Sequence, residues 1–212
     1  MLLALLLPGC SSLLQSSAPP VQIYTLGAPP VEGASDPHPA VAASLRVAHP
    51  LAGPGLGTPQ IVLLQPDHRM NVYAASAWAA ATPALVESLT VRTLRASGAW
   101  RSIEDADSPF PSRYLLQISI RRFDADYSAG AGEPPTVEVR FDCTLGSEDG
   151  RKVLASFVAA GSAPAAANRL SDVIGAFQQA SNQALISLAR QALAGVRAVP
   201  QRRLRVGTPR GT

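Results

Sequence analysis

Lysine is almost missing from this chain. Its 212 residues hold one, Lys152, against 17 arginines. Charged residues of all kinds make up 16%, where soluble domains carry roughly 25%. The net charge of +3 is too small to mark a strongly basic binding protein. Aromatics are scarce, at 5%. No run of apolar residues approaches the ~18 needed to cross a bilayer as a helix. Two cysteines, Cys10 and Cys143, supply neither a zinc cluster nor a disulfide framework. The three histidines, His38, His49 and His68, sit at no ligand spacing. The sequence has no GxSxG, no P-loop, no GxGxxG before a helix and no HExxH. It therefore offers no catalytic residues, no metal ligands and no cofactor motif, and it reads as a non-enzyme.

What the chain has in quantity is alanine, 36 residues, with 19 prolines and 16 glycines. Its core must come from 25 Leu, 16 Val and 7 Ile. At 212 residues it is long enough for one domain with tails. The first seven residues are continuously apolar, and Pro8-Gly9-Cys10-Ser11 follows. A short apolar stretch ending in small residues reads as an export signal. Leu7-Pro8-Gly9-Cys10 resembles a bacterial lipobox, which would make Cys10 the lipidated first residue of the mature chain. An ordinary secretory signal is the competing reading. Residues 11–20 are Ser-, Pro- and Ala-rich and uncharged, the composition of a flexible tether. Ser11, rather than Asp, after the cysteine favours sorting to the outer membrane.

Strands are expected around residues 21–27, 44–48, 60–65 and 70–73, separated by a Pro-rich linker at 28–39 and a Gly/Pro loop at 50–59. A helix is expected over 82–97. Thr82 can cap it, Pro83 fits its first position, and Gly98 stands where a left-handed terminator belongs. Residues 77–81 would extend this helix backwards, with Trp78 packing on the sheet. Three strong strands follow. In 113–127, Leu116, Ile118 and Ile120 point one way. The phase slips at Arg121-Arg122, as in a β-bulge, and Phe123, Ala125 and Tyr127 continue the face. Residues 136–146 alternate cleanly, the mark of an antiparallel sheet with one wet face. Asp149-Gly150 signals a hairpin turn into 151–161. A second helix spans 168–193, with an apolar stripe through Leu170, Val173, Phe177, Ala184 and Leu188. The class is α+β: a two-layer sandwich, mostly antiparallel sheet, with two helices packed on one face. The domain runs over 21–195, and an Arg-rich disordered tail occupies 196–212.

In order and punctuation these pieces resemble the ABC-type transport auxiliary lipoproteins, the PqiC-like family. The resemblance rests on the lipobox-like start, Tyr24-Thr25-Leu26, Gly57-Thr58-Pro59-Gln60-Ile61-Val62 and Met70-Asn71-Val72-Tyr73 leading into Trp78. Ser97-Gly98-Ala99-Trp100, Arg122-Phe123 and Ala176-Phe177-Gln178-Gln179-Ala180 complete it. It covers the chain from Cys10 to about Leu193. It implies a non-catalytic, lipid-anchored, periplasm-facing subunit of a Gram-negative envelope. Its partners would be an MCE-domain protein and the ABC permease and ATPase of the same lipid-transport system, and a homo-oligomer is compatible with it. Two other readings stay open: a module that itself binds and presents lipid, and an assembly lipoprotein of another envelope machine.

Beyond Cys10, candidate partner or lipid contacts are Tyr24, Trp78, Arg202, Arg203 and Arg205. For Tyr24, Trp78 and Trp100, core packing is the favoured alternative. Asp124, Asp126 and Glu133 read as a solvated face rather than an acid/base pair. The tail arginines could meet anionic headgroups. The export signal argues against nucleic acid. Cys143 falls on the inward stripe and reads as a core thiol.

Overall fold

The computed structural model describes residues 20–30, 41–147 and 152–198. The lipobox, the tether up to Pro19, the Asp149-Gly150 turn and residues 199–212 lie outside the described residues. The elements are β1 (Gln22–Tyr24), β2 (Val41–Val47), β3 (Leu51–Ala52), β4 (Gln60–Leu64), β5 (Met70–Trp78), α1 (Thr82–Ala96), β6 (Trp100–Glu104), β7 (Tyr114–Asp126), β8 (Thr136–Ser147), β9 (Val153–Pro164) and α2 (Leu170–Arg197).

Strand β7 organises them. One of its edges pairs antiparallel with β8 along its whole length, from Tyr114 opposite Ser147 to Asp126 opposite Thr136. The other edge is shared in succession by three short parallel strands. Leu45–Val47 of β2 lie beside Tyr114–Leu116, β3 beside Ser119 and Ile120, and Val62–Leu64 of β4 beside Asp124–Asp126. The sheet then forks. β6 extends β2 in parallel, while β5 and then β1 extend β4. On the far side β9 extends β8 antiparallel. The long ladders are antiparallel, as the alternation requires; the short strands add parallel pairs that alternation cannot reveal.

The slip at Arg121-Arg122 is a bulge, with the register shifting between Ile120 and Arg122. It keeps Leu116, Ile118 and Ile120 on the same buried face as Phe123 and Ala125. Both helices cover that face. Three aromatic rings centre the core: Trp78 meets Phe123 and Phe177 edge-on at 5.8 and 5.1 Å, and Phe123 meets Phe177 at 5.3 Å. Each such pair contributes about 1 kcal/mol beyond its buried area. Elsewhere smallness does the packing. A methyl added to Gly161 of β9 would lie 2.1 Å from the Ala180 carbonyl oxygen of α2. Beside it β9 buries only Ala159 and Ala163, and α2 buries Ala176, Ala180 and Ala184. The alanine content is thus what lets a long helix lie directly on a strand.

Five local readings are corrected. Thr82 does not cap α1. It is the first helical residue, and its hydroxyl donates to the Thr58 carbonyl at 3.0 Å. Residues 70–78 form one strand, so Trp78 ends β5 rather than extending α1. β3 lies in what reads as loop, and β6 begins at a tryptophan that reads as a helix end. Helix α2 starts at Leu170, leaving Asn168 free to accept the Tyr127 hydroxyl at 2.8 Å. Gly98 does terminate α1, at φ 62°, a conformation other residues rarely adopt.

Gly161→Ala should lower stability by about 2 kcal/mol, because the helix backbone must move to admit the methyl. Gly132→Ala, with no atom within 4 Å of the new methyl, should leave the urea midpoint unchanged. Equal midpoints for the two variants would contradict the close α2–β9 contact.

Candidate functional site

The outward face of α1 carries Glu87, Ser88, Arg92 and Arg95. With His49 and the 105–107 loop they line an open cleft of about 420 Å³. Glu87 is the hub. One carboxylate oxygen lies 2.8 Å from His49 Nδ1, and the other accepts the Ala106 N–H at 3.1 Å. Arg95 donates through Nε and Nη2 to the Ile103 carbonyl, at 3.1 and 2.8 Å. From the sheet, Arg46 donates to the carbonyls of Asp105, Ala106 and Ser108 at 3.3, 3.2 and 2.7 Å, and to that of Phe110. These cations and the Glu87 carboxylate are committed to fixing the 103–110 segment. Two guanidinium groups face three carboxylates here, so the cleft favours no single sign of ligand. Among the described residues no group of three or more His, Cys, Asp or Glu is placed to hold a metal ion.

The same contacts close an edge of the sheet. Ile103 belongs to β6, which has no described strand beyond it, and Arg95 satisfies its outward carbonyl. The β9 edge is closed in the same manner. Gln183 of α2 accepts the Ser162 N–H at 3.1 Å, and Gln191 donates to the Val158 carbonyl at 2.8 Å. Helix side chains thus occupy the backbone groups that an adjacent strand would seek.

On the other face of the sheet, Arg122 grips two carboxylates. Its Nε and Nη2 donate to Asp124 at 3.1 and 2.6 Å, and Nη2 also reaches Asp126 at 2.8 Å. The solvated face expected there is corrected by the structure: Asp124 is only 5% exposed. Asp124 sits between β4 and β8 with the Arg122 guanidinium on it, and the Gly/Pro segment before β4 packs on the sheet nearby. It buries Leu56 and comes up against Met70, whose sulfur lies where a Gly55 methyl would be. Val62, in register with Asp124, is buried too. Burial pushes the Asp126 carboxyl up, but hydrogen bonds from Arg122 and Ser128 outweigh it and hold the group below its usual range. The bond to Asp124, ahead of that to Asp126, raises the Arg122 guanidinium further. A carboxylate fixed on arginine has no proton to exchange, which is the opposite of a general acid. Glu133 is exposed in the following loop. Where β5 and β7 meet that loop, Tyr73 and Tyr127 share a hydrogen bond of 2.8 Å, and burial raises the Tyr73 phenol, with Tyr127 adding to it.

Of the residues singled out by sequence, Tyr24 lies on β1, half-buried, its hydroxyl donating to Gln22 Oε1 at 2.6 Å. Trp78 is 2% exposed and presents no surface; its Nε1 is buried with no acceptor among the described residues. Trp100 is buried edge-on to Tyr114. Cys143 is buried, and desolvation, with Asp142 adding to it, pushes its thiol up to about 12. Cys10, Arg202, Arg203 and Arg205 lie outside the described residues. Glu87, Arg95, Arg46, Gln183 and Gln191 were not singled out. Their polar character was visible on helix and strand faces, but their partners stand 8 to 64 positions away.

A family model described as the ABC-type transport auxiliary lipoprotein component matches residues 24–189. No curated protein matches the chain. A crystal structure of a DUF330 protein from Xanthomonas campestris superposes with a TM-score of 0.72 at 25% identity, covering 83% of this chain and 97% of that one. A crystal structure of an uncharacterised protein superposes at 0.62 with 15% identity, covering 82% and 99%; it shares the fold.

Removing one partner of a buried ion pair strands the other, so Arg122→Ala should cost about 3 kcal/mol in urea unfolding at neutral pH. Asp126 titrates below its unfolded value when folded. Its contribution is full above the ordinary carboxylate range, near 4, and is lost as pH falls through the folded value. Stability of the native chain should therefore fall on acidification, and that of Arg122→Ala should fall less. Parallel pH profiles would contradict the assignment.

Proposed function

The chain belongs to the family of ABC-type transport auxiliary lipoprotein components, and from that premise we propose that it is a non-catalytic docking subunit of an MCE-associated lipid transport system. In this reading Cys10 is the lipidated anchor, held in the outer membrane and facing the periplasm. The domain supports the MCE-domain protein that bridges the periplasm, while permease and ATPase work at the inner membrane. The observation that carries the reading is the extent of the match. Residues 24–189 run from β1 into α2 and take in every sheet strand but the first two residues of β1. The family resemblance therefore concerns the whole domain rather than a grafted motif.

The chemistry fits a scaffold. The polar side chains of the cleft fix backbone, and the carboxylates of the Arg122 cluster are taken up by Arg122 itself. At Gly161 the helix lies on the sheet at contact distance, so α2 and β9 leave no groove there for an acyl chain. No described helix is long and apolar enough to cross a membrane, and attachment through Cys10 supplies the link. A diacyl or triacyl anchor gives stable attachment, since each buried methylene contributes about 0.8 kcal/mol. The arginines at 202, 203 and 205 would add attraction to anionic headgroups, about 1 kcal/mol each close to the surface.

Cys10→Ala should move the protein from the membrane to the soluble fraction while leaving its unfolding midpoint unchanged. C-terminally tagged protein drawn from gently solubilised envelopes should bring an MCE-domain protein, a permease and an ATPase. Palmitate labelling that survives Cys10→Ala, or recovery of an unrelated envelope machine alone, would overturn the corresponding half of the proposal.

A further inference from the structure

Two of the three sheet edges are closed by helix side chains, at β6 and at β9. The third is formed by β1 and the first half of β5, and it is treated differently. β1 covers only Ser76–Trp78 of β5. Pro20, which has no N–H to give, stands two places before β1. Between the two halves β5 bulges. Ala75 sits at φ 50°, and the pairing with β4 shifts between Gln60 and Val62. Met70–Val72 are thus left with β4 on one side and no described strand on the other.

This edge is also apolar. Val21 is 56% exposed, Ile23 62%, Met70 47% and Val72 40%. A long, unpaired, apolar edge is a liability that soluble proteins blunt with charge, proline or a covering helix. Helix side chains do this at the other two edges; here Pro20 and the β5 bulge shorten the edge but leave its apolar side chains uncovered. Exposed apolar side chains gathered on two neighbouring strands at one edge point to a contact surface.

We propose that the β1–β5 edge rests on the lipid bilayer to which the chain is anchored, with Val21, Ile23, Met70 and Val72 in contact with the headgroup–acyl boundary. The argument from tether length rests on the Cys10 anchor of the proposed function. Ten residues, spanning eleven residue-to-residue steps, lie between Cys10 and Val21. Fully extended they span at most about 40 Å, and as a flexible coil about 20 Å. The tether therefore delivers the domain to the membrane by this edge first, because Val21 is where it enters the fold. Between its cysteine and Val21 the tether carries no charge, so nothing in it repels the surface. Arg69, at the turn into β5, is largely exposed but paired with Asp67, so among the described residues the rim of this edge carries no unpaired charge. The opposite edge, β9, is four strands away, about 19 Å at ordinary strand spacing.

Quenching by bromolipid tests this. The lipidated full chain carrying Ile23→Cys, Val72→Cys or Val153→Cys is labelled with bimane and reconstituted into phosphatidylethanolamine–phosphatidylglycerol vesicles with brominated acyl chains. The buried, weakly acidic Cys143 thiol leaves the introduced cysteine as the labelled site. Quenching at positions 23 and 72 should exceed that at Val153→Cys, an exposed residue of β9, at least threefold. Equal quenching at all three, or a label at 23 shielded from water without lipid quenching, overturns the proposal; the latter would place a second copy or a partner strand on the edge. Flotation of the same vesicles separates the two claims. If Cys10→Ala abolishes flotation while the anchored chain shows no quenching at 23, the anchor stands and the edge assignment fails. If Cys10→Ala still floats with quenching at 23, the anchor fails and the edge assignment stands.

Discussion

The sheet of this fold is built outward from hydrogen bonding to both edges of β7. Its thirteen residues present a row of backbone groups on each side, and each must be paired. β8 satisfies one side at a stretch. The other side is divided among β2, β3 and β4, of which β3 contributes two residues. None of these short strands is long enough to stand alone; each exists because β7 offers a ready template. The single bulge at Arg121-Arg122 lets a strand of this length twist while keeping both of its halves facing the helices.

The helix layer follows from side-chain volume. Where β7 and β8 carry large residues, the core is filled by Phe123, Phe141, Ile118 and Leu145, with Phe177 and Trp78 reaching in from α2 and β5. Where α2 meets β9 the residues are glycine and alanine, and backbone touches backbone. The helix is therefore located by large rings near its N-terminal end and by steric exclusion along β9. That combination fixes register more tightly than either feature alone, because rings tolerate some tilt and close backbone contact does not. Once α2 is placed, Gln183 and Gln191 stand beside the β9 edge, and its closure is a consequence of packing.

Much of this was legible in sequence, and the parts that were not share a cause. The alternation of residues 136–146, the slip at Arg121-Arg122, the apolar stripe of α2 and the glycine after α1 all report local geometry through period or backbone freedom. β3 and β6 were hidden because a two-residue strand has no period and because Trp100 opens a strand directly after a helix. The burial of Asp124 was hidden because the strands beside it and the arginine that takes it up are set by tertiary pairing, which alternation along β7 does not report. The α1 cleft was hidden for the same reason, since Glu87, His49 and Ala106 come together only through the tertiary fold. Trp78 was legible as an anchor of the core, and its edge-on contacts with Phe123 and Phe177 show why a chain so poor in aromatics places three of them together.

The division between closed and open edges links fold to role. The docking role proposed above calls for a surface that does not aggregate, and confining the unpaired backbone to the edge where β1 enters the fold meets both demands. Hydrogen exchange of the lipid-free Cys10→Ala domain, resolved by peptide, tests this directly. Slow, core-like exchange is expected across residues 158–162 of β9, with exchange at least tenfold faster across β1 and residues 70–75 of β5. Equal rates at the two edges, or faster exchange at β9, would contradict the assignment of one closed and one open side.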